Sequence, residues 1–509
     1  MGLRGLLLTG RSNPISYKIG SMETRFGIIL LGLGPGDPGL LTHQAWELLG
    51  SIDEIYLRTR QHPVVDSFPA GLQVHSFDDL YERAGSFAEV YAQIVEEVLA
   101  LGRRAAGVVY AVPGHPFVAE ATGPEIARRA QQEDIPVQVV EGLSFLEPAL
   151  TALGLDPFPH TALVDALELV SAHIPPFPPS TPAIIAQIHS QAVASDVKLT
   201  LMSLYPDGHP VKLVHAAGTP QTLVESLSLY EIDRSPHIGL LTALYVPPLG
   251  PAASFEAFQE IIAHLRAPDG CPWDKEQTHQ TLRPHLLEEA YEVLAALDAG
   301  DTGAMREEFG DLLLQVVLHA QIASDYNEFT MSDVLQGIHT KIVHRHPHVF
   351  GDVDLKNVEG VLQNWERLKE AERNANGKSD TGLLDGVALA LPALVQAEEY
   401  QKRAARVGFD WTEIQGVIDK VREELDEVFG ATVGERRAAE LGDLLFAVVN
   451  LARWYGVDAE SALRESNARF RSRFAQIEAS ARAQGRSVSD LSQDEMEVLW
   501  QAAKKRTSK

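Results

Sequence analysis

The chain has 509 residues and a formal net charge of −27, with 70 acidic against 43 basic side chains. This length predicts two to four domains, and the acidic balance argues against a nucleic-acid partner, whose binding needs a basic surface. The single cysteine, Cys271, excludes an intrachain disulfide framework and is typical of a reducing compartment. No apolar run approaches the ~20 residues of a membrane helix, so we expect a cytoplasmic protein without a membrane partner.

The first half of the chain alternates short apolar runs with helical patterns. Residues 1–21 are predicted to form a disordered extension, because their apolar run is too short for a signal peptide. The runs that follow predict strands over 28–33, 54–57, 107–111, 137–140, 184–188, 199–201 and 237–245. This alternation predicts an α/β domain with a largely parallel sheet over residues 22–248.

Three glycine-containing blocks follow strands of this domain. The first reads Gly34-Pro35-Gly36 after the first strand, the second Pro113-Gly114-His115, and the third Glu141-Gly142-Leu143-Ser144. Glycine lets the backbone turn sharply or approach a ligand, and a single such block is equally a tight strand-to-helix turn.

Together the three blocks resemble the tetrapyrrole (corrin and porphyrin) methylase family over residues 26–247. The resemblance implies two α/β subdomains with S-adenosylmethionine in the cleft between them. It also implies the residues that line this cleft, namely Gly34, Pro35, Gly36, Pro113, Gly114 and His115. His115 is either catalytic or a structural turn residue, and the methyl acceptor does not follow from the resemblance.

The second half of the chain predicts only helices. Prolines and a glycine at 247–251 interrupt both the strand patterns and the helix patterns of the first half. After them, the 3.6-residue period of helices dominates. A polar linker at 373–386 separates two acidic repeats, which we place at 254–372 and 387–509. Each repeat is long enough to form a small helical domain.

Each repeat carries acidic pairs three residues apart on two successive helices. Positions i and i+3 share one face of a helix, so the four carboxylates of a repeat are expected to converge. Like charges that close need a cation, and oxygen ligands without cysteine favour Mg²⁺ or Mn²⁺. An isolated acidic pattern is usually a solvated face, but the duplication favours two metal sites. Their predicted ligands are Glu289, Glu292, Glu308 and Asp311, and then Glu424, Glu427, Glu440 and Asp443.

The duplication extends to cationic and aromatic residues downstream of the acids. The matching sets are Lys341, Arg345, Trp365 and Lys369 in the first repeat, and Arg469, Arg473, Trp500 and Lys504 in the second. Metal and cations together would neutralise a polyphosphate, and an aromatic ring would stack on a base. The pattern therefore indicates a nucleoside triphosphate ligand, although the tryptophans are equally consistent with core packing.

These acids, with the segments 271–278, 345–350 and 407–411, resemble the MazG family over residues 254–507. The resemblance implies a four-helix-type fold, a homodimer, a Mg²⁺ requirement and hydrolysis of a nucleoside triphosphate to the monophosphate and diphosphate. It implies nucleotide contacts by Lys420, Arg469, Arg473, Trp500 and Lys504. Glu423, or Glu288 in the first repeat, would either activate the water or orient a metal ligand.

The two repeats differ at one position near the metal site. Lys420 precedes the second acidic pair, whereas the corresponding residue in the first repeat is His285, mostly neutral at pH 7. Arg469 takes the place of a lysine that is usual in the family and keeps its charge. We therefore expect the second repeat to be the main catalytic unit.

Two alternative functions remain from the sequence. The chain could be a methyltransferase whose MazG domains serve dimerisation or regulation, or a binding protein that retains both scaffolds without catalysis. The intact acids of both repeats argue against the second alternative, because clustered carboxylates are costly without a function.

Overall fold

The computed structural model describes residues 27–354, 357–375, 382–431 and 434–507. The extension predicted for residues 1–21 and part of the linker predicted for 373–386 lie outside the described residues. The chain divides into two compact units, with the boundary between Ile261 and Ile262. The N-terminal unit is α/β and the C-terminal unit is helical, so the predicted fold classes are confirmed.

The first sheet of the α/β unit is parallel. Its strands are β1 (Ile28–Gly32), β2 (Glu54–Leu57), β3 (Gln73–Ser76), β4 (Val108–Val112) and β5 (Val137–Val140), in the order β3-β2-β4-β1-β5. Helices α1 (His43–Leu49), α2 (Asp78–Arg83), α3 (Phe87–Gly102), α4 (Thr122–Gln132) and α5 (Leu146–Leu153) connect or follow them. One core cluster contains Leu30 and Tyr110 and another contains Leu31 and Ala111, so β1 and β4 are buried on both faces.

The second sheet of this unit is mixed. Its strands are β6 (Ala162–Asp165), β7 (Ala183–Ala186), β8 (Pro210–His215), β9 (Leu223–Ser228) and β10 (Thr242–Val246), in the order β6-β7-β10-β8-β9. Strands β6 and β7 are parallel, whereas β10 is antiparallel to both β7 and β8, and β8 is antiparallel to β9. Helices α6 (Ala166–Val170) and α7 (Gln191–Leu201) complete this layer.

Two of the predicted strands need correction in this second layer. Residues 199–201 end helix α7, whose buried Ala194, Val197 and Leu201 follow the helical period. A short apolar run does not distinguish a buried helix turn from a strand, which explains the wrong prediction. The strand predicted to start at residue 237 begins only at Thr242.

The C-terminal unit consists of helices in the part that the structure describes. They are α8 (Phe255–Arg266, which spans the boundary), α9 (Pro272–Glu276), α10 (His279–Ala299), α11 (Thr302–Asp325), α12 (Met331–Arg345), α13 (Pro347–Phe350), α14 (Val358–Ala375), α15 (Ala393–Arg406), α16 (Ile414–Gly430), α17 (Gly434–Trp454), α18 (Ala459–Ala483) and α19 (Gln493–Thr507). Helix α10 packs against α11, and α16 packs against α17. None of the described helices combines the length and the apolar character needed to cross a bilayer.

The turn between α10 and α11 shows why these two helices form an antiparallel pair. Gly300 ends α10 in the left-handed conformation (φ 65°), which glycine adopts without strain. Asp301 then caps α11, because its Oδ1 accepts hydrogen bonds from the backbone N–H groups of Gly303 and Ala304. A turn this short brings the acidic residues of the two helices to the same level along the pair.

Candidate metal centres and ligand cleft

The acidic cluster of the second repeat lies between α16 and α17. Glu424 on α16 and Glu440 and Asp443 on α17 each offer one carboxylate oxygen, and these three atoms lie within 4.8 Å of one another. The i,i+3 spacing directs Glu440 and Asp443 to one face of α17, which packs against the helix that carries Glu424. Three of the four predicted ligands are therefore brought together.

Glu424 is the most buried member of this cluster. Its side chain is 7% exposed, and its Oε1 lies 2.7 Å from Nζ of Lys420. Its Oε2 is buried and has no hydrogen-bond partner among the described residues. A buried carboxylate oxygen without a partner is costly, so this atom fits a position that faces a bound cation.

Glu427, the fourth predicted ligand of this repeat, lies beside the cluster. Its pKa is raised, first by a hydrogen bond with Glu440, then by desolvation and by repulsion from Glu440 and Glu424. A raised pKa in a carboxylate surrounded by other carboxylates means that the site favours an added positive charge. Glu427 therefore belongs to the same electrostatic environment as the three clustered residues.

The first repeat contains the corresponding cluster between α10 and α11. Glu289, Glu308 and Asp311 each offer an oxygen, and the three atoms lie within 4.8 Å of one another. The pKa values of Glu289 and Glu308 are raised, first by desolvation and then by repulsion among the acids. Glu292 is one of the residues that repel both, so the fourth predicted ligand is again a close neighbour of the cluster.

The donor sets of both clusters consist of carboxylate oxygens. Such a set suits a hard divalent cation such as Mg²⁺ or Mn²⁺, because zinc sites in proteins usually include histidine or cysteine. The unpartnered Oε2 of Glu424 and the mutual repulsion in both clusters are consistent with this choice. The residues present therefore fit a divalent metal in both repeats.

The surroundings of the two clusters differ in their positive charge. In the second repeat, Lys420 Nζ lies 2.7 Å from Glu424 and 2.9 Å from Glu423. These hydrogen bonds raise the pKa of Lys420, that with Glu424 most strongly. In the first repeat, Nδ1 of the half-exposed His285 lies 3.7 Å from Glu288. The second cluster thus has a permanent cation at its edge, where the first has an imidazole.

Glu423 and Glu288, the predicted water-activating residues, are both exposed. Their side chains are 57% and 63% accessible, and each lies one residue before the clustered glutamate of its helix. A solvent-facing carboxylate at the rim of a metal site is able to reach a water molecule. The geometry leaves both predicted roles open, activation of water or orientation of a ligand.

Each repeat places a guanidinium beside its predicted tryptophan. Arg473 on α18 lies 5.8 Å from the ring centre of Trp500 on α19, which also contacts Phe470. Trp500 packs against a buried cluster that includes Ile477, so part of its ring serves the core. Arg469 forms an exposed ion pair with Glu465 at 3.2 Å, and Lys504 lies one turn after Trp500.

The cations of the first repeat contact a tryptophan and a glutamate. Arg345 lies 5.6 Å from the ring centre of Trp365, and Lys369 lies 3.7 Å from the same centre. Nε of Arg345 also donates to both carboxylate oxygens of Glu372, at 3.2 Å each. Lys341 is exposed, one turn before Arg345. Sequence reasoning missed Glu372, although its position two turns after Trp365 on the same helix was a usable signal.

The glycine blocks of the α/β unit meet at the carboxyl ends of β1 and β4. Gly34 and Gly114 exchange backbone hydrogen bonds of 3.1 and 2.7 Å, both at positive φ. They line a cavity of about 440 Å³ together with Pro35 and Pro113, in the range of small-molecule sites. The carboxyl edge of a parallel sheet is the usual place for such a site.

The two remaining predicted residues of this cleft are not among the lining residues of the cavity. Gly36 has φ of 138°, and a Cβ there would lie 2.9 Å from the Thr219 side chain. His115 Nδ1 accepts a hydrogen bond from the backbone N–H of Phe117 at 3.0 Å. Both residues therefore shape the loops around the cleft. For His115, this contact is the kind expected of a structural turn residue, the alternative to a catalytic role.

The cleft contains an ion pair that sequence reasoning missed. Arg58, just after β2, donates to Glu120 at 2.5 Å, and the Glu120 side chain is 1% exposed. Oε1 of Glu120 also accepts hydrogen bonds from the backbone N–H and the hydroxyl of Thr122, at 3.0 and 2.6 Å. The signal that was available is positional, because Arg58 follows a strand at the carboxyl edge of the parallel sheet.

His62 also lines the cleft and was not predicted. The residue is 4% exposed, and neither ring nitrogen forms a hydrogen bond of good geometry in the described part of the chain, although the Gly34 backbone lies close to the ring. Burial lowers its pKa to about 4, with a further lowering by the nearby Arg58 charge and an opposing contribution from the Gly34 backbone. His62 is therefore a neutral imidazole at pH 7, buried at the wall of a cavity.

Comparison with family models gives two matches. The tetrapyrrole (corrin/porphyrin) methylase model matches residues 27–233, and the MazG nucleotide pyrophosphohydrolase domain model matches residues 277–350. The first match covers most of the α/β unit, and the second covers the acidic cluster of the first repeat.

Individual relatives extend this similarity over most of the chain. YabN of Bacillus subtilis (strain 168) is 43% identical over 486 residues, which cover 94% of this chain and 98% of YabN. The nucleoside triphosphate pyrophosphohydrolase of Escherichia coli (strain K12) is 45% identical over 251 residues, 48% of this chain and 95% of that protein. Among solved structures, uroporphyrin-III C-methyltransferase from Thermus thermophilus is 21% identical with a TM-score of 0.33, and the match covers 43% of this chain and 92% of that chain.

Proposed function

Because the chain belongs to the same family as YabN and joins a tetrapyrrole methylase domain to MazG domains, we propose that it is a Mg²⁺-dependent nucleoside triphosphate pyrophosphohydrolase. In this reaction water adds across a phosphoric anhydride, and the products are a nucleoside monophosphate and diphosphate. The 45% identity to an E. coli enzyme of this name supports the assignment.

One observation carries the proposal for the helical unit. The oxygens of Glu424, Glu440 and Asp443 lie within 4.8 Å of one another, and one oxygen of Glu424 is buried without a hydrogen-bond partner among the described residues. A cluster of this kind is destabilising on its own and becomes favourable when a divalent cation neutralises it. The arrangement is repeated at Glu289 and its neighbours, which argues for selection of the site rather than chance.

The residues of the second repeat take distinct roles in this proposal. Glu424, Glu440 and Asp443 hold Mg²⁺, and Glu427 completes their acidic environment. Bound Mg²⁺ supplies the positive charge that neutralises the triphosphate and its leaving diphosphate. Lys420, now paired with Glu423 and Glu424, is placed to exchange these partners for a phosphate oxygen.

The nucleotide is held by the helices that follow. Arg469, Arg473 and Lys504 carry the charge that binds phosphates, and Trp500 offers a ring on which a base stacks. Glu423 would either orient a metal ligand or accept a proton from the attacking water. In the second case the water oxygen bonds to a phosphorus of the substrate while the anhydride P–O bond of that phosphorus breaks, which releases the monophosphate and the diphosphate. In the first repeat, Glu288, Lys341 and Arg345 take the corresponding roles.

We propose that the second repeat carries most of the activity. The first repeat has His285 where the second has Lys420, and its Arg345 is bound to Glu372. The exchange of Lys420 for His285 reduces the positive charge available to a triphosphate in the first repeat, and Arg345 must leave Glu372 before it binds a phosphate.

The direct test measures diphosphate release from each nucleoside triphosphate with Mg²⁺, and again with EDTA in excess. We expect release that depends on Mg²⁺ and that Glu424→Gln removes, while Glu260→Gln, the same chemical change at an exposed position of α8, leaves it intact. Release of orthophosphate instead of diphosphate, or equal rates with EDTA, would contradict the proposal.

A second activity is favoured by the cleft of the α/β unit. Its 440 Å³ cavity, formed by Gly34 and Gly114 at the carboxyl ends of parallel strands, supports binding of S-adenosylmethionine. Calorimetric titration with S-adenosylhomocysteine tests this, with saturable binding as the expected result. Methyl transfer to an acceptor then becomes the second candidate function of the chain.

The chain is further proposed to act in the cytoplasm as a homodimer. Large apolar side chains of α16 and α17, among them Phe429 at 78% and Leu445 at 57%, are exposed in the single chain. Exposed apolar surface of this kind is typical of a protein interface. Sedimentation equilibrium should give twice the chain mass of 55.7 kDa, and a monomer at micromolar concentration would contradict the dimer.

A further inference from the structure

The ionisable side chains that line the α/β cleft offer little positive charge to attract an anion. Arg58 is the one arginine or lysine among the lining residues, and its guanidinium is already paired with Glu120. Two carboxylates, Asp78 and Glu82, line the same cavity. The guanidinium of the nearby Arg60 donates a hydrogen bond to the Val74 carbonyl, and Arg60 does not line the cavity. A polycarboxylate ligand would bring several negative charges here without partners, which is strongly unfavourable.

One wall of the cleft is aromatic. The rings of Tyr81, Phe87 and Tyr91 contact one another at centre-to-centre distances of 6.2–6.5 Å. Phe87 is 48% exposed and meets the ring of His189 edge-on at 6.2 Å. Phe145 lines the cavity as well. An exposed set of rings at the wall of a cavity suits a flat, apolar ligand body.

Two buried polar groups at this cleft have no hydrogen-bond partner among the described residues. They are the ring nitrogens of His62 and the Nε donor of Arg58. Buried donors and acceptors of this kind are normally paired, by protein, water or ligand. A neutral imidazole offers one donor and one acceptor, and Nε of Arg58 is a donor, so together they match a carbonyl oxygen and an N–H group.

We propose that the second ligand of this cleft, beside the cofactor, is an uncharged aromatic molecule that bears a carbonyl and an N–H group, such as a heteroaromatic lactam. The ring lies against Tyr81, Phe87 and Tyr91, and its polar edge bonds to His62 and Nε of Arg58. A polycarboxylate such as uroporphyrin is excluded by Asp78 and Glu82. This inference rests on the proposed binding of S-adenosylmethionine in the same cleft.

The test uses the full chain and small probes of opposite charge. Calorimetry with S-adenosylhomocysteine alone comes first and tests the cofactor site by itself. Saturation-transfer NMR then measures 2-quinolone, a neutral lactam, and quinoline-2-carboxylate, each with and without S-adenosylhomocysteine. Uroporphyrin III binding is followed by its fluorescence. We expect 2-quinolone to bind. Neither quinoline-2-carboxylate nor uroporphyrin III should bind at the same concentration.

Three variants assign the binding to the residues named. His62→Phe should weaken 2-quinolone binding about fivefold to tenfold, the effect of one lost hydrogen bond, with the affinity for S-adenosylhomocysteine little changed. Glu82→Lys should raise the affinity for quinoline-2-carboxylate at least about threefold by removing a repulsion. Glu97→Lys, an equal charge change at an exposed position that does not line the cavity, should leave it unchanged.

Specific results would overturn the inference. Uroporphyrin or quinoline-2-carboxylate binding at least as tightly as 2-quinolone would show that the cleft accepts acids. No signal for 2-quinolone at millimolar concentration would remove the lactam class. If 2-quinolone binds but S-adenosylhomocysteine does not, the proposed cofactor is refuted. The proposed class of the second ligand then still stands.

Discussion

Glu424 combines burial with an unpartnered oxygen, which distinguishes it from the acidic residues on the surface of the same helix. We expect Glu424→Ala to lower the turnover of nucleoside triphosphate on the order of 10²-fold, the usual cost of losing a central charged group in an active site. Glu289→Ala, the matched change in the first repeat, should leave a substantial fraction of the activity. Initial rates of diphosphate release compare the two variants, and equal losses would refute the asymmetry.

His62 gives the α/β unit a stability that depends on pH. Its pKa is about 4 in the folded protein, mainly because of burial, against an ordinary value near 6.5. Between these values the unfolded chain binds a proton that the folded chain excludes, so stability falls as the pH decreases from 6.5 to 4. The full effect is about 3 kcal/mol, at 1.36 kcal/mol for each pKa unit.

The measurement is a comparison with His62→Phe by scanning calorimetry at pH 7.5 and pH 5. We expect the stability of the wild type relative to the variant to decrease at the lower pH. Gln61→Ala, which changes no titratable group beside His62, serves as the control and should show no such change. A relative stability of His62→Phe that is independent of pH would show that the imidazole is not buried in neutral form.

Residue spacing indicated which acidic side chains the structure brings close together, because their geometry is local. Glu440 and Asp443 are three positions apart on one helix, and a short connection brings them to Glu424. The Arg58–Glu120 pair joins residues 62 positions apart, so no local pattern indicates it. His62 has no distinguishing neighbour in the sequence, and its significance comes only from its burial against the cavity.

Helix α14 differs from α19 at one position that affects the nearby arginine. Glu372 lies seven residues after Trp365, and its pKa is lowered to about 2, first by its hydrogen bonds from Arg345. The residue seven positions after Trp500 is Thr507, which carries no negative charge. Glu372 therefore competes with a phosphate for Arg345 in the first repeat.

This difference leads to a gain-of-function prediction. In a chain that carries Glu424→Ala, the further change Glu372→Gln should raise the remaining diphosphate release several-fold, because Arg345 then has one competing charge fewer. Glu260→Gln makes the same chemical change at an exposed position of α8 and should leave the release unchanged. Initial rates of the two double variants are compared at equal Mg²⁺. A further loss of activity with Glu372→Gln would mean that Glu372 positions Arg345 for the nucleotide.

Whole strands were predicted where the sequence has a short, largely apolar run. Strands β1, β2, β4 and β5 of the parallel sheet are apolar runs bounded by turns, and each was found close to its predicted position. Strands β3 and β9 lie at sheet edges and contain exposed polar residues, so their sequences lack such a run. The antiparallel pairing of β8 with β9 depends on contacts that a run of residues does not indicate.

On the scale of the whole molecule, the two units carry candidate ligand sites of different chemistry. The helical unit clusters carboxylates in both repeats, whereas the α/β unit presents a cavity with aromatic walls and a neutral histidine. The net charge of −27 raises the local concentration of divalent cations and repels free nucleotides. Metal binding is therefore expected to precede nucleotide binding, which occurs as the Mg²⁺ complex.

Removal of the metal should affect the proposed activity of the helical unit and leave ligand binding by the α/β unit unchanged. EDTA is expected to abolish diphosphate release and to leave the calorimetric affinity for S-adenosylhomocysteine unchanged, because the cavity at Gly34 and Gly114 includes no carboxylate cluster among the described residues. Added Mg²⁺ should also raise the unfolding temperature of the helical unit by binding only the folded clusters. In the Glu424→Ala variant this rise should shrink but persist, because the cluster at Glu289 remains. A rise that disappears completely would mean that the first repeat holds no metal, and its residual activity would then need another explanation.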